Sequence, residues 1–242
     1  MGRPNTAFVL AAGLGTRMRP LTDVTPKPLV RLGGRALLDH ALDRLADAGI
    51  TRAIVNVHYL ADQIEAHLAG RTNPSIEISD ERTLLLDTGG GVRRALPRLG
   101  QGPFVVHNSD TVWLESGPSN IATLIDAWDD ARMDALLLLA DRRRCLGYDG
   151  AGDFSMDHAG RLSRRPTGGT SEFVFAGVSV AHPRLLAGFD DDVFSLNGPW
   201  NAALAKGRLW GVVLDGFWMH VGTPAALAEA ERRLAEGEPE RA

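Results

Sequence analysis

Residues 8–30 read FVLAAGLGTRMRPLTDVTPKPLV. The apolar run Ala7 to Ala12 fits a buried strand, and it breaks into Gly13 and Gly15, then Arg17 and Arg19, then Lys27 between Pro26 and Pro28. Glycines directly after a buried strand let backbone N–H groups turn toward an anion, and nearby cations complete such a cradle. Two phosphate motifs come close and fail. Gly13 and Gly15 supply the first two glycines of the dinucleotide fingerprint, but Met18 stands at the third, and no G-x-x-x-x-G-K-[ST] occurs anywhere. Pro26 and Pro28 restrict the backbone around Lys27, which places this lysine on a stiff extended stretch. The same residues would also serve as a plain strand-to-loop connection with solvated cations.

Outward from this segment, strand-like runs alternate with helical periods, the pattern of a parallel sheet with crossover helices. Leu37, Leu38, Ala41, Leu42 and Leu45 define a helix over residues 36–48, closed by Gly49. Strands are expected over 52–57, 75–79, 104–107 and 135–140, and helices over 60–68, 91–96 (before Pro97) and 121–128. After Gly147 the rhythm changes to short strands over 154–162 and a longer one over 173–180. Two more strands flank Asp215 and Gly216, and a final helix over 224–235 has Thr223 as N-cap. The expected fold is α/β: a doubly wound, mostly parallel Rossmann-like sheet with a small antiparallel insertion, in one domain over 1–242. The tail from residue 236 is polar and expected to fray.

A chain of 242 residues is ample for one buried core. A formal net charge of -4 with interspersed signs argues against a nucleic-acid partner, whose footprint is a basic excess. Cys145 is the sole cysteine, so no internal disulfide and no cysteine metal cluster can form. No apolar stretch approaches the ~20 residues that span a bilayer, and the start lacks a secretion signal's apolar core. A cytoplasmic protein, without membrane or obligatory protein partner, is the expectation.

Ligands of open α/β sheets bind at the carboxyl ends of strands. Three polar clusters fall there: Gly13 to Arg17, Asp87 to Gly91 (DTGGG) and Asn108 to Asp110 (NSD). DTGGG reads either as a backbone approach to a flat or anionic group or as a tight turn with a helix cap. Asp110 reads either as a Mg²⁺ ligand or as a turn residue.

Together with GFWMHVGTP over 216–224, these stretches resemble, in order, the signatures of the sugar-1-phosphate nucleotidyltransferases. Within that family the chain is most similar to the short N-acetylmuramate-1-phosphate uridylyltransferases, with TGGG at 88–91 and GDF at 152–154. The resemblance implies that residues to about 140 form the nucleotide side and 147–222 the sugar side. Ala12, Gly13, Gly15, Thr16 and Arg17 would wrap the triphosphate of UTP, with Lys27 near the phosphates. Thr88 and Gly89 would line the base pocket, Asn108 the ribose side, and Gly152 and Gly177 the sugar. Arg17, Lys27 and Asp110 would be catalytic, with Mg²⁺ (or Mn²⁺) on Asp110. Mannose-1-phosphate guanylyltransferases share most of these pieces, and a nucleotide-sugar binder without catalysis is a further alternative.

One residue departs from the pattern: His220 stands where the family usually carries a second metal-ligating Asp. Imidazole is a weaker Mg²⁺ ligand than carboxylate. His220 could reach the metal through water, Asp110 could act alone, or the site could prefer a softer ion. Trp200 is expected mainly as packing and alternatively as a sugar-pocket wall. The basic run Asp141 to Cys145 (DRRRC) reads as a solvated loop, or as a place to meet a carboxylated sugar.

Overall fold

The computed structural model describes residues 2–236, so the polar tail beyond lies outside the described residues. The chain begins with β1 (Thr6–Leu10), a ribbon of β2 (Arg31–Leu32) and β3 (Arg35–Ala36), and α1 (Leu37–Asp47). There follow β4 (Arg52–Val57), α2 (Ala61–Leu68), β5 (Ser75–Asp80), α3 (Asp87–Leu99) and β6 (Phe104–Asn108). Then come β7 (Thr111–Glu115), α4 (Asn120–Asp126), β8 (Ala135–Asp141), β9 (Cys145–Leu146), β10 (Phe154–Met156), β11 (Leu162–Arg164) and β12 (Phe173–Ala181). The last elements are α5 (Asn197–Ala205), β13 (Leu209–Val213), β14 (Gly216–His220) and α6 (Pro224–Glu236).

Four strands form a parallel block in the order β6-β1-β4-β5. Beyond β6 the sheet turns mixed: β12 runs antiparallel to β6, β8 and β10, and β13 returns parallel to β8. Alternate side chains of the buried strands go to opposite faces, and this wraps the sheet on both sides. Ala7, Val9, Ala53 and Val55 meet α1, α2 and α4 on one face. Phe8 and Ile54 meet Val92, Ala95 and Leu99 of α3 and Trp200 of α5 on the other. Each fully buried Val, Ile or Phe side chain among these contributes about 1.5–3 kcal/mol. Trp200 is therefore core, its ring edge-on to Phe175 at 4.8 Å.

A second sheet, β7-β14-β9, was not fully legible in the sequence: β7 follows the polar NSD cluster at once and pairs with β14, about a hundred residues later. A third apolar cluster joins Met18, Leu37, Val112, Met219, Val221 and Ala230, so the glycine segment after β1 is anchored between α1, this small sheet and α6.

The expected helix over 91–96 is longer. It starts at Asp87, takes in all three glycines and runs through Pro97 to Leu99. Packing overrides the low helix propensity of Gly and Pro, because Gly89, Gly90, Gly91, Val92 and Ala95 are all buried. Pro97 lies in the last turn, where it forfeits a single backbone bond. The Phe194 carbonyl accepts from the Gly89 and Gly90 N–H groups at 2.8 and 3.1 Å, and Leu196 N–H donates to Thr88 Oγ1 at 2.9 Å. A Cβ at Gly90 would lie 2.1 Å from the Asp192 carbonyl oxygen. Gly90→Ala is accordingly expected to destabilise by about 1–3 kcal/mol, the usual range for overpacking, read as a lower denaturation midpoint. An unchanged midpoint would show that segment 188–196 yields freely.

Candidate active site

The carboxyl ends of β1, β4, β5 and β6 open into one cavity of about 590 Å³, in the range of small-molecule sites. Residues 10–18 and Lys27 line it, with Asn56, Glu81, Asp87, Thr88 and Asn108 to Asp110. All three strand-end clusters thus meet, as the parallel order requires.

Local chemistry shapes the first loop. Gly15 has φ +64°, and a Cβ there would press on Thr22 and on Lys27 Cβ at 3.0 and 3.1 Å. Thr22 Oγ1 donates to the Gly15 carbonyl at 2.8 Å, and Tyr59 Oη donates to the Thr22 carbonyl at 2.9 Å. This latch holds the stretch carrying Lys27 against the stretch carrying Arg17. Lys27 opens a short 3₁₀ turn, Lys27–Leu29, in place of the extended mount expected from its flanking prolines; Pro26 before it is extended, and Pro28 fits the turn's second position. Arg17 is exposed at the cavity wall.

Lys27 Nζ lies 2.6 Å from Asp110 Oδ2, with the two side chains only 13% and 20% exposed. β6 lies beside β1, with Leu10 opposite Asn108, and this adjacency brings together residues 83 positions apart. Burial pushes the Asp110 carboxyl up, but Lys27 and His220 outweigh it and hold the group below its ordinary value. His220 Nδ1 is 3.9 Å from the same Oδ2, since His220 pairs with Thr111 across β14 and β7. Burial lowers the His220 pKa, so the imidazole is neutral near pH 7 with a lone pair free to ligate.

That donor set fits a divalent cation: one ionised carboxylate and one neutral imidazole converge. Among the described residues no three His, Cys, Asp or Glu side chains form a metal cluster, so a bound ion would complete its shell from ligand oxygens and water.

Three predicted residues sit differently. Gly89 does not line the cavity; its N–H is taken by Phe194, so the start of α3 is closed to an anion at that position. Gly152 and Gly177 also lie outside the lining. Gly177 (φ +86°) marks the bulge in β12, with Thr111 Cγ2 2.2 Å from where a Cβ would stand. The Ala176 carbonyl beside it accepts from Thr111 Oγ1 and Trp218 Nε1 at 2.9 and 3.0 Å. Gly152 (φ +85°) donates its N–H to Tyr148 Oη at 3.1 Å. In the basic run, Arg143 is paired with Asp141 at 2.9 Å, and burial raises the Cys145 pKa, which leaves the thiol protonated and unreactive. Asn56, Glu81 and Val193 line the cavity without having been expected there. For Asn56 a signal existed, a polar residue inside the buried run AIVNV, which must find a partner.

A profile of the MobA-like NTP transferase domain matches residues 7–237. The chain belongs to the MobA-like NTP transferases. Among relatives of this transferase, N-acetylmuramate alpha-1-phosphate uridylyltransferase of Caulobacter vibrioides is 46% identical over 237 residues, 96% of this chain and 98% of that protein. Mannose-1-phosphate guanyltransferase of Aspergillus oryzae is 30% identical over 90% of this chain but only 61% of its own length. The solved UDP-glucose pyrophosphorylase of Acinetobacter baumanii superposes with a TM-score of 0.81 at 16% identity, covering 94% of this chain and 92% of that one, a likeness of fold. Among the described residues of this transferase, no helix is long and apolar enough to cross a membrane.

Proposed function

We propose that this transferase moves a uridylyl group from UTP to N-acetylmuramate 1-phosphate, releasing pyrophosphate and UDP-N-acetylmuramate for reuse in cell-wall synthesis. The observation that carries the reading is the full-length relationship to the Caulobacter uridylyltransferase. The cavity's convergence of Arg17, Lys27 and Asp110 at the ends of β1 and β6 supports it.

The nucleophile needs no base. A phosphate monoester has a second pKa near ~6, so its attacking oxygen is largely deprotonated at pH 7. The barrier lies in bringing one anion against another, in line with departing pyrophosphate. Residues 12–17 would hold the triphosphate, with Arg17 on the leaving side and Lys27 offsetting charge at the reacting phosphate. Thr88 would border the base and Asn108 the ribose. Asp110, and His220 directly or through water, would hold the divalent ion, Mg²⁺ or Mn²⁺; that ion supplies charge neutralisation at phosphate oxygens. In this division residues to about 140 serve the nucleotide and 147–222 the sugar.

Pyrophosphate release from UTP, GTP, dTTP and CTP, each crossed with the 1-phosphates of N-acetylmuramate, N-acetylglucosamine, glucose and mannose, tests the reading. The expected maximum is UTP with N-acetylmuramate 1-phosphate; a maximum at GTP with mannose 1-phosphate overturns it in favour of guanylyl transfer. His220→Ala is expected to keep Mg²⁺-dependent turnover within about tenfold of the parent, because Asp110 and Lys27 remain. Complete loss with an unchanged circular dichroism spectrum would make His220 indispensable to the ion.

A further inference from the structure

The ends of three neighbouring strands are tied together by a buried pair outside the charged machinery. Asn56, near the end of β4, is 2% exposed, and Glu81, directly after β5, is fully buried. Asn56 Oδ1 accepts the N–H groups of Ala11 and Ala12 at 2.6 and 3.2 Å, just after β1. Its Nδ2 donates to Glu81 Oε1 at 2.9 Å, and Glu81 Oε2 accepts the Leu86 N–H at 3.3 Å, ahead of α3. Gly91 seats α3 on this pair: a Cβ there would lie 2.9 Å from Glu81 Oε1 and 3.1 Å from Asn56 Nδ2. Both ends of the Asn56 amide and both Glu81 oxygens are engaged, and this fixes which way the amide faces at this corner of the cavity.

We infer that Asn56 is a positioning residue for nucleotide binding, with Glu81 as its orienting partner. The Asn56 amide has one acceptor and one donor end. Glu81 takes the donor end, and this forces the acceptor end onto Ala11 and Ala12. Those two N–H groups would otherwise be buried and unpaired, and the turn into Gly13 and Gly15 would lose its fixed course. Lys27 and Arg17 are mounted separately, through the Thr22 latch and the Asp110 pair. Loss of the brace therefore weakens nucleotide capture more than the transfer step. The inference rests on the nucleotidyl-transfer reading above.

A reciprocal exchange tests it. In Asn56→Asp two carboxylates face each other; in Glu81→Gln an amide N–H must face either the Asn56 Nδ2 or the Leu86 N–H. The double variant N56D/E81Q restores every bond with the same net charge. The Asp carboxylate accepts from Ala11, Ala12 and the Gln amide, and the Gln carbonyl accepts from Leu86. Each single variant is expected to raise KM for UTP by about tenfold or more, with kcat at saturation within about threefold of the parent. The double variant is expected to return KM to within about threefold of the parent.

KM unchanged in the singles, or a double variant as impaired as the singles, overturns the inference. So does a loss confined to kcat. Should a single variant fail to fold, the double variant decides alone, since it must fold and bind UTP as the parent does. The same four proteins unfolded in urea report the pairing without substrate: the double variant is expected to recover the stability lost in the singles, and independent losses overturn the pairing. Parent protein inert toward every nucleotide, with the urea recovery intact, would retire the transferase reading and leave the brace standing.

Discussion

Lys27→Ala is expected to lower kcat by about 10²–10³-fold while KM for UTP changes by less than about threefold, the signature of a charge used chiefly as the transfer proceeds. Two features of the site lead to this. The ammonium is held within 2.6 Å of Asp110 by a loop that Thr22, Gly15 and Tyr59 fasten in place, so it needs no reorganisation to act. In the proposed function the backbone of residues 12–17 takes most of the ground-state hold on the triphosphate, and the substitution leaves that backbone alone. A second readout separates this role from simple packing. Burial pushes the Asp110 pKa up, and Lys27 is the foremost influence opposing it. Without Lys27 the carboxyl titrates at higher pH, and the acid limb of kcat/KM moves up with it. Lys27→Met keeps much of the apolar stem and is expected to behave like Lys27→Ala in both respects. Full turnover in either variant would remove Lys27 from the transfer step.

The meeting of the glycine turn with Asp110 was legible because both follow strands of a parallel block, whose carboxyl ends gather on one edge; Lys27 stood out by its flanking prolines, although its mount is a 3₁₀ turn rather than extended. The sequence could not show the brace in the same way. Asn56 and Glu81 matter through which strands are neighbours and which way an amide faces, and neither appears as a spacing. Three glycines and a proline made α3 look like a turn followed by a stub, whereas burial against β1 and β4 and a carbonyl from Phe194 make it a full helix. Gly177 has a reason of its own that no spacing shows: a bulge and the nearness of Thr111 require glycine there. His220 was identifiable as a departure from the family's usual Asp, but only the β7–β14 register places it beside Asp110.

The second large effect concerns stability in acid and arises at His107, on the strand that leads into Asn108 and Asp110. This side chain on β6 is fully buried, stacked on Trp113 at 5.9 Å, and the same indole carries the Arg44 guanidinium at 4.2 Å. His107 Nδ1–H donates to the Asn108 carbonyl at 2.7 Å, while Nε2 is buried without a partner among the described residues. Protonation would place a charge on that unpartnered nitrogen. Burial foremost, with Arg44 adding to it, lowers the pKa to about 4, against 6.5 for the ordinary group. The sign follows directly: above pH 6.5 both folded and unfolded chains carry neutral His107, and the folded state loses nothing. As pH falls from 6.5 toward 4, the unfolded chain takes up a proton that the folded chain refuses, and stability drops by up to about 1.4 kcal/mol per pH unit. The loss reaches about 2 kcal/mol by pH 5 and about 3 kcal/mol by pH 4. His107→Gln keeps a side-chain N–H for the Asn108 carbonyl and cannot titrate. The unfolding free energies from urea titrations at pH 7.5 and pH 5.0 are therefore expected to differ by about 2 kcal/mol less in the variant than in the parent. His40, His182 and His220 titrate in both proteins and cancel from that difference. Equal losses in the two would mean that His107 takes up its proton in the fold as readily as in the unfolded chain, and that the β6 corner beneath Asn108 accommodates a charge its surroundings give no reason to tolerate.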